Sequence, residues 1–277
     1  PFEVLVTDNK NFTAKPSYLV FKNDIGYHYT SKLLDSDSQI SNNKILAFAP
    51  NYKDNSDTYI DLKYNKEEVD NIRSYFPTKS LADKKANISA FNKNYTKYDI
   101  IHLAMHAQIN NDNPAYSHLI FTPDQEDDFK LYTKDLYNLP PGPRHIVLSA
   151  CNSGSGSIKS GEGIMSFARA LIISGCPSLT LTLWTVNDKT SAELMNYFYA
   201  NLEKNLSTQK VLQQAKIEYL KNADPLKSHP YYWSGYISMG EEQMIKDSKN
   251  GISYVFYILI FSVLIIVSIS IYKKRKA

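Results

Sequence analysis

Apolar positions along this chain gather into short runs separated by amphipathic stretches, the alternation expected of buried strands joined by helices. Lys44 to Ala49 (KILAFA) reads as a strand closed by Pro50, and a Tyr/Asn/Asp-rich loop follows to about Tyr64. Lys66 to Tyr75 carries Val69 and Ile72 at helical spacing and stops before Pro77. Asp83 to Asn92 reads as a short helix, and Tyr98 to Met105 as the next strand. Ser117 to Leu131 alternates on both sides of an acidic turn, Asp124 to Asp128, as an exposed hairpin does. Thr133 to Tyr137 is a helical turn, and Pro140 to Pro143 forces an extended approach to the strand that ends near Cys151.

The second half repeats the logic. Ile164 to Ser174 places Phe167, Ala168, Leu171 and Ile172 on one helical face, with Gly175 as its stop. Ser178 to Trp184 is a strand, Asn187 and Asp188 form a turn that caps a helix from Ser191 to Leu202, Thr208 to Asn222 is a further helix, and Tyr232 to Met239 closes as a strand. Strand-helix alternation of this kind predicts an α/β fold, a three-layer α/β/α sandwich around a mostly parallel sheet with right-handed connections. No internal repeat interrupts it.

One stretch departs from the pattern. From Ile252 to Tyr272 about 21 consecutive positions carry no charge, enough helix to cross a bilayer core of roughly 30 Å. Tyr254, Tyr257 and Tyr272 fall near its two ends, where amphipathic rings settle at the interface. The basic residues Lys273, Lys274, Arg275 and Lys276 follow directly, and the positive-inside rule assigns them to the cytoplasm and the preceding body to the opposite side. The competing reading is a buried core helix. The chain begins at Pro1 without an initiator Met or a signal peptide, and reads as part of a longer protein.

Composition narrows the function classes. With 277 residues, 43% hydrophobic and 21% charged, the chain suits one sizeable globular domain plus the appendage. The net charge of +3 is carried by the four terminal basic residues, so the body is close to neutral and offers no electrostatic footprint for nucleic acid. Two cysteines, Cys151 and Cys176, are too few for a disulfide framework or a zinc site.

Two apolar runs end in side chains with chemistry. IIHLAMHA finishes at His106 and Ala107, and IVLSACNSG finishes at Cys151 in a Gly/Ser-rich loop reaching Gly163. Ligand chemistry collects at the ends of parallel strands. A thiolate is the useful nucleophile, and a nearby imidazole both lowers the thiol pKa and later protonates a leaving amine. The Gly-rich turn leaves backbone N–H groups able to hold an oxyanion, and Ala107 is small enough for its own N–H to approach a carbonyl. The plain alternative is a packed free cysteine and a hydrogen-bonded core histidine. His102 and His106 share a strand face and offer a metal pair, but no third ligand stands at a recognised spacing and the zincin Glu is missing. Gly154 to Gly163 lacks the Gly-Lys-Ser/Thr ending of a P-loop, and no G-x-S-x-G elbow is present.

HLAMHA, LSACNSG, GEGIMSFARALIISGCPSLTLTLWTVND and HPYYWSGYISMG, in that order, resemble the CHAT domain of the caspase-like, separase-related cysteine peptidase clan. The resemblance runs from about Lys44 to Gly240. It implies a caspase-like fold with His106 and Cys151 as the catalytic dyad, an oxyanion hole from the backbone N–H groups of Ala107 and Cys151, and a structural strand role for His102. Caspases usually carry Gly after the histidine, whereas CHAT domains often carry Ala, as here. Separases bind a basic P1 side chain with a carboxylate shortly after an LW dipeptide. Leu183-Trp184 followed by Asp188 matches that place, and an Asp at a strand end near a helix N-terminus suits Lys or Arg. Its alternative is a helix N-cap. Glu162 is a second pocket candidate, with capping of the next helix as its alternative.

The expected organisation is a lead-in over 1–43, a CHAT domain over 44–245, a linker over 246–251, a transmembrane helix over 252–272 and a basic cytoplasmic tail over 273–277. The expected function is a membrane-anchored cysteine endopeptidase that needs no cofactor or metal and acts on a protein or peptide substrate. The resemblance further implies TPR repeats or a regulatory partner upstream of Pro1 and a bacterial inner membrane, while the positive-inside rule puts the domain outside the cytoplasm. A catalytically silent CHAT scaffold and, more distantly, a metal-dependent hydrolase using His102 and His106 are the rival readings.

Overall fold

The computed structural model describes residues 1–8, 16–29, 38–40, 43–53, 59–123, 129–152 and 162–245, with the backbone alone at 8, 38, 39, 150–152, 162, 163 and 245. Before the first long apolar run lie β1 (Val6–Asp8), β2 (Ser17–Tyr18), β3 (Gly26–Tyr27) and β4 (Ser38–Ile40). The core follows as β5 (Ile45–Ala49), α1 (Asn65–Ile72), β6 (Thr78–Ala82), α2 (Ile88–Asn94), β7 (Ile100–Gln108), the pair β8 (His118–Ile120) and β9 (Lys130–Tyr132), and α3 (Thr133–Leu136). It continues through β10 (His145–Asn152), α4 (Glu162–Ile173), β11 (Ser178–Thr182), α5 (Asp188–Leu202), α6 (Thr208–Asn222), β12 (Tyr236–Gly240) and β13 (Gln243–Ile245).

The main sheet runs in the order β3-β12-β11-β10-β7-β5-β6, with β8 and β9 attached beyond the end of β5 alongside β7. Its strands are parallel except where β12 meets β11, and where β8 meets β7 and β9. Alternation along each strand feeds two apolar cores. Leu46, Phe48, Leu103, Met105 and Leu148 face α2, α3 and α4, while Ile45, Ala47, Ala104 and Val147 face α1, α5 and α6. The arrangement is therefore the three-layer α/β/α sandwich that the alternation of elements predicts.

Several departures have local causes. β6 has no counterpart in the sequence reading because Thr78–Ala82 is an edge strand in which Leu81 alone is buried. Helix α5 starts at Asp188, three residues before the expected Ser191, because the cap is Asn187, whose side chain accepts the Thr190 N–H at 3.1 Å. The expected helix 83–92 divides into a turn at Asp83–Lys85 and α2 beginning at Ile88, where Asn87 accepts the Ala90 N–H. Gly175 ends α4 at φ +103°, a backbone conformation in which a side chain is strained.

Described residues before Lys44 pack onto the body. β3 extends the main sheet beside β12, and Glu3 reaches Lys216 of α6, Nζ to Oε1 2.9 Å, with both side chains buried. At the other end β13 lies parallel to β4. Among the described residues no helix is long and apolar enough to cross a membrane. The expected span 252–272 and the tail 273–277 lie outside the described residues.

Candidate active site

β7 is the strand on which the site depends. Its partner β5 pairs with it only as far as Leu103, then Pro50 ends β5, whereas β10 stays beside β7 to the register pairs Cys151↔His106 and Asn152↔Ala107. The chain order also reverses here, since β6 lies outward of β5 and β7 on its other side. His106 and Cys151 thus stand next to one another at the C-terminal ends of adjacent parallel strands, at the switch in strand order where open α/β sheets place ligands.

The gap left where β5 stops is filled by Tyr52. Its hydroxyl accepts the His106 N–H at 3.0 Å and donates to the Ile120 carbonyl at 2.7 Å, bridging two residues that are register partners in the β7–β8 ladder. Its ring lies against the imidazole, centroids 4.6 Å apart, and Tyr59 adds a second ring at 6.3 Å. His106 is itself buried. The other end of its ring is held by the chain, with Nε2 2.5 Å from the carbonyl oxygen of Ile60. A carbonyl only accepts, so Nε2 carries the hydrogen and Nδ1 is the basic nitrogen of the neutral ring.

Beneath His106 lies a buried polar network. His102, two turns of the strand pleat below His106, puts Nε2 2.9 Å from Glu68 Oε1 and Nδ1 2.9 Å from the Tyr199 hydroxyl. The Ser191 hydroxyl donates to Glu68 Oε2 at 3.0 Å and lies within 2.8 Å of Ser149 Oγ and 2.6 Å of the Tyr236 hydroxyl. The hydroxyls of this network are buried because each finds a hydrogen-bond partner, and with the His102–Glu68 contact they tie α1, α5, β7, β10 and β12 at one level of the sheet. His102 is thereby a strand residue with a specific partner. Among the described residues no group of three His, Cys, Asp or Glu side chains is placed to hold a metal ion.

The second cysteine has the ordinary role that competes with catalysis. Cys176 is fully buried, its thiol donates to the Ser178 carbonyl at 3.3 Å, and burial pushes its pKa up to about 12. His145 is likewise a core group, set between Ser178 Oγ at 3.0 Å and Thr180 Oγ1 at 3.1 Å and driven down to about 3 by desolvation and then by the nearby His102. Neither is a candidate for the chemistry.

Asp188 is not the helix cap, because Asn187 is. The Asp188 carboxylate instead accepts the Tyr64 N–H at 2.9 Å. Burial raises its pKa above the usual carboxylate range, the neighbouring Glu68 adds to that rise, and the backbone N–H groups of Tyr64 and Lys63, together with His106, oppose it. Glu162 opens α4, and its side chain lies outside the described residues, as do the side chain of Cys151 and the loop 153–161. Sequence reasoning overlooked Tyr52, Ile60, Tyr64 and Glu68. Three of them act through a hydroxyl or a backbone group in a non-periodic loop, which leaves no pattern to read. Glu68 did leave one, since it stands four residues before Ile72 on the buried stripe of α1.

Compared with known families, the chain matches the CHAT domain over residues 1–241. It belongs to the CHAT domain family. The match begins at residue 1, so the segment before Lys44 is part of the CHAT domain's matched length as well as of its sheet. Comparison with curated proteins gives no sequence match. Among solved structures, this CHAT domain is similar to the Saccharomyces cerevisiae separase-securin complex, with TM-score 0.49 and 13% identity over 77% of this chain and 13% of that one. It is similar to the Porphyromonas gingivalis RgpB pro- and mature domains, with TM-score 0.44 and 11% identity over 72% of this chain and 47% of that one. A Geobacter sulfurreducens protein gives TM-score 0.41 and 13% identity over 76% of this chain and 95% of that one. The CHAT domain therefore corresponds to a small part of the separase chain and about half of the RgpB chain.

Proposed function

We propose that this CHAT domain is a cysteine endopeptidase in which Cys151 is the nucleophile and His106 its base. The observation that carries the reading is the β7–β10 register, which makes His106 and Cys151 neighbours at two strand ends. Strand alternation gives position 151 the same face as 147 and 149, and His106 the same face as His102 and Ala104. In the reaction Cys151 Sγ attacks the peptide carbonyl carbon as its proton passes to His106 Nδ1. The imidazolium then returns that proton to the departing amine, and water releases the acyl group by the same route. The Ile60 carbonyl supports this by fixing the tautomer. It also stabilises the imidazolium, whose Nε2–H it continues to accept.

The family resemblance supports an oxyanion hole made by the backbone N–H groups of Ala107 and Cys151, two donors for the developing charge. Dyad chemistry of this kind runs without a metal or organic cofactor.

Peptidyl acyloxymethyl ketones bearing Lys, Arg or Asp at P1 test the reading directly. Covalent labelling of Cys151, located by mass spectrometry, is expected with a basic P1. Failure of every probe, with upstream repeats restored and their ligands present, sinks the peptidase and leaves a scaffold. The uncharged run 252–272 and the basic tail support anchoring in a membrane, proposed as a bacterial inner membrane, with the domain outside the cytoplasm. Reporter fusions at Ala277 are expected to be active only in cytoplasmic form, and an external C-terminus would reverse that orientation. Regulation by upstream TPR repeats or a partner, acting on the loop beside Cys151, completes the proposal. Equal turnover with and without those repeats would remove it.

A further inference from the structure

The His106 imidazole is held by the Ile60 carbonyl, and that carbonyl is only as well placed as the loop that carries it. The Ile60 side chain is 79% exposed, so its own packing does not fix the loop. Four residues on, the Tyr64 N–H donates to Asp188 Oδ2, and the Lys63 N–H bonds to the same carboxylate. Tyr64 precedes α1 and supplies no side-chain cap of its own. The holding group comes from another element, the first residue of α5.

Helix α5 is a rigid base for that group. Leu194, Met195, Phe198 and Tyr199 bury it against the sheet, and Ser191 ties it through Glu68 to α1. The far side of the loop is also secured, since Asn65 Nδ2 donates to the Pro50 carbonyl at 2.8 Å. What joins these fixed points to His106 is the short segment 60–64.

From this geometry we infer that Asp188 is a positioning residue: by holding the N–H groups of Lys63 and Tyr64 it sets the Ile60 carbonyl, and through it the orientation of His106. This rests on the dyad reading above and changes the role that resemblance gives Asp188, from receiving a basic substrate side chain to holding the base. A carboxylate already engaged by the loop has less of its lone-pair capacity to offer a substrate. Glu68 and His106 are the other titratable groups that bear on it.

Two substitutions in the full chain separate the roles. Asp188→Asn keeps a side-chain oxygen for the Tyr64 N–H but loses the charge, while Asp188→Ala loses both. The readouts are kcat and KM on peptides with basic and neutral P1 residues, and the pH profile of Cys151 alkylation by iodoacetamide, followed by mass spectrometry. Asp188→Ala is expected to lower kcat about 100-fold on both peptide types with KM little changed, and Asp188→Asn to stay within about threefold of the parent. The alkylation inflection is expected to move toward that of an ordinary thiol in the Ala variant alone. A loss confined to basic P1 peptides and expressed in KM would return the carboxylate to the substrate and overturn the inference. Equal losses in both variants would overturn it too, assigning the effect to charge. If the parent chain cleaves nothing, the peptidase reading falls by itself. The alkylation profiles still judge the positioning role in that case, and identical profiles in all three proteins would end it.

Discussion

Cys151→Ala, His106→Ala and the double variant are expected to lose peptide cleavage to one common residual level. Groups that act as a single unit are grossly non-additive, and removing either member of a nucleophile-base pair costs roughly 10⁴- to 10⁶-fold in turnover. The physical basis is the adjacency of the two residues on β10 and β7. Without the imidazole the thiol has nowhere close to send its proton, and without the thiol the imidazole has no nucleophile to activate. Each change leaves the polar network beneath untouched, since Glu68, His102, Ser149, Ser191 and Tyr236 bond among themselves. Steady-state turnover on the best basic-P1 peptide, with urea unfolding as a check on folding, measures the effect. A His106→Ala variant that keeps more than about a tenth of the parent kcat would remove His106 from the chemistry.

The parts of this architecture that could be read in the sequence are those with a period. β5, β7, β10 and β11 are runs buried on both faces, and α4 and α6 show clear stripes, so their apolar runs alone locate them. β6 escaped because an edge strand has little to bury. Of the two cysteines, chain position at a Gly-rich strand end distinguished Cys151 from Cys176, and Cys176 is fully buried. The site's geometry was legible only in part. His106 and Cys151 could be named from strand ends, yet their adjacency depends on strand order and register, which are non-local. The supports of His106 were hidden for a different reason. Tyr52, Ile60 and Tyr64 act through groups that every tyrosine, or every backbone, possesses, so nothing in residue type marks them before the chain is folded.

The same principle explains why the first residues matter to stability. Glu3 in a polar lead-in would pass for a solvated charge, but it accepts from Lys216 Nζ at 2.9 Å and from the Tyr27 hydroxyl at 2.8 Å, with both members of the ion pair buried. Burial lowers the Lys216 pKa below its ordinary value despite the attraction of Glu3, so desolvation outweighs the Coulombic gain for the ammonium. The intact pair is consequently a weak source of stability, while breaking it is expensive, about 3–5 kcal/mol, because one charge stays buried alone. Glu3→Gln is therefore expected to destabilise the chain by several kcal/mol, within that range. Gln keeps an oxygen for the Tyr27 hydroxyl but leaves Lys216 uncompensated. Adding Lys216→Met removes the stranded ammonium and is expected to recover most of the loss, since Met fills a similar volume without a charge. Urea unfolding of the four proteins of this double-mutant cycle measures the coupling. A double variant no more stable than Glu3→Gln would mean that the lead-in is held by something other than this pair.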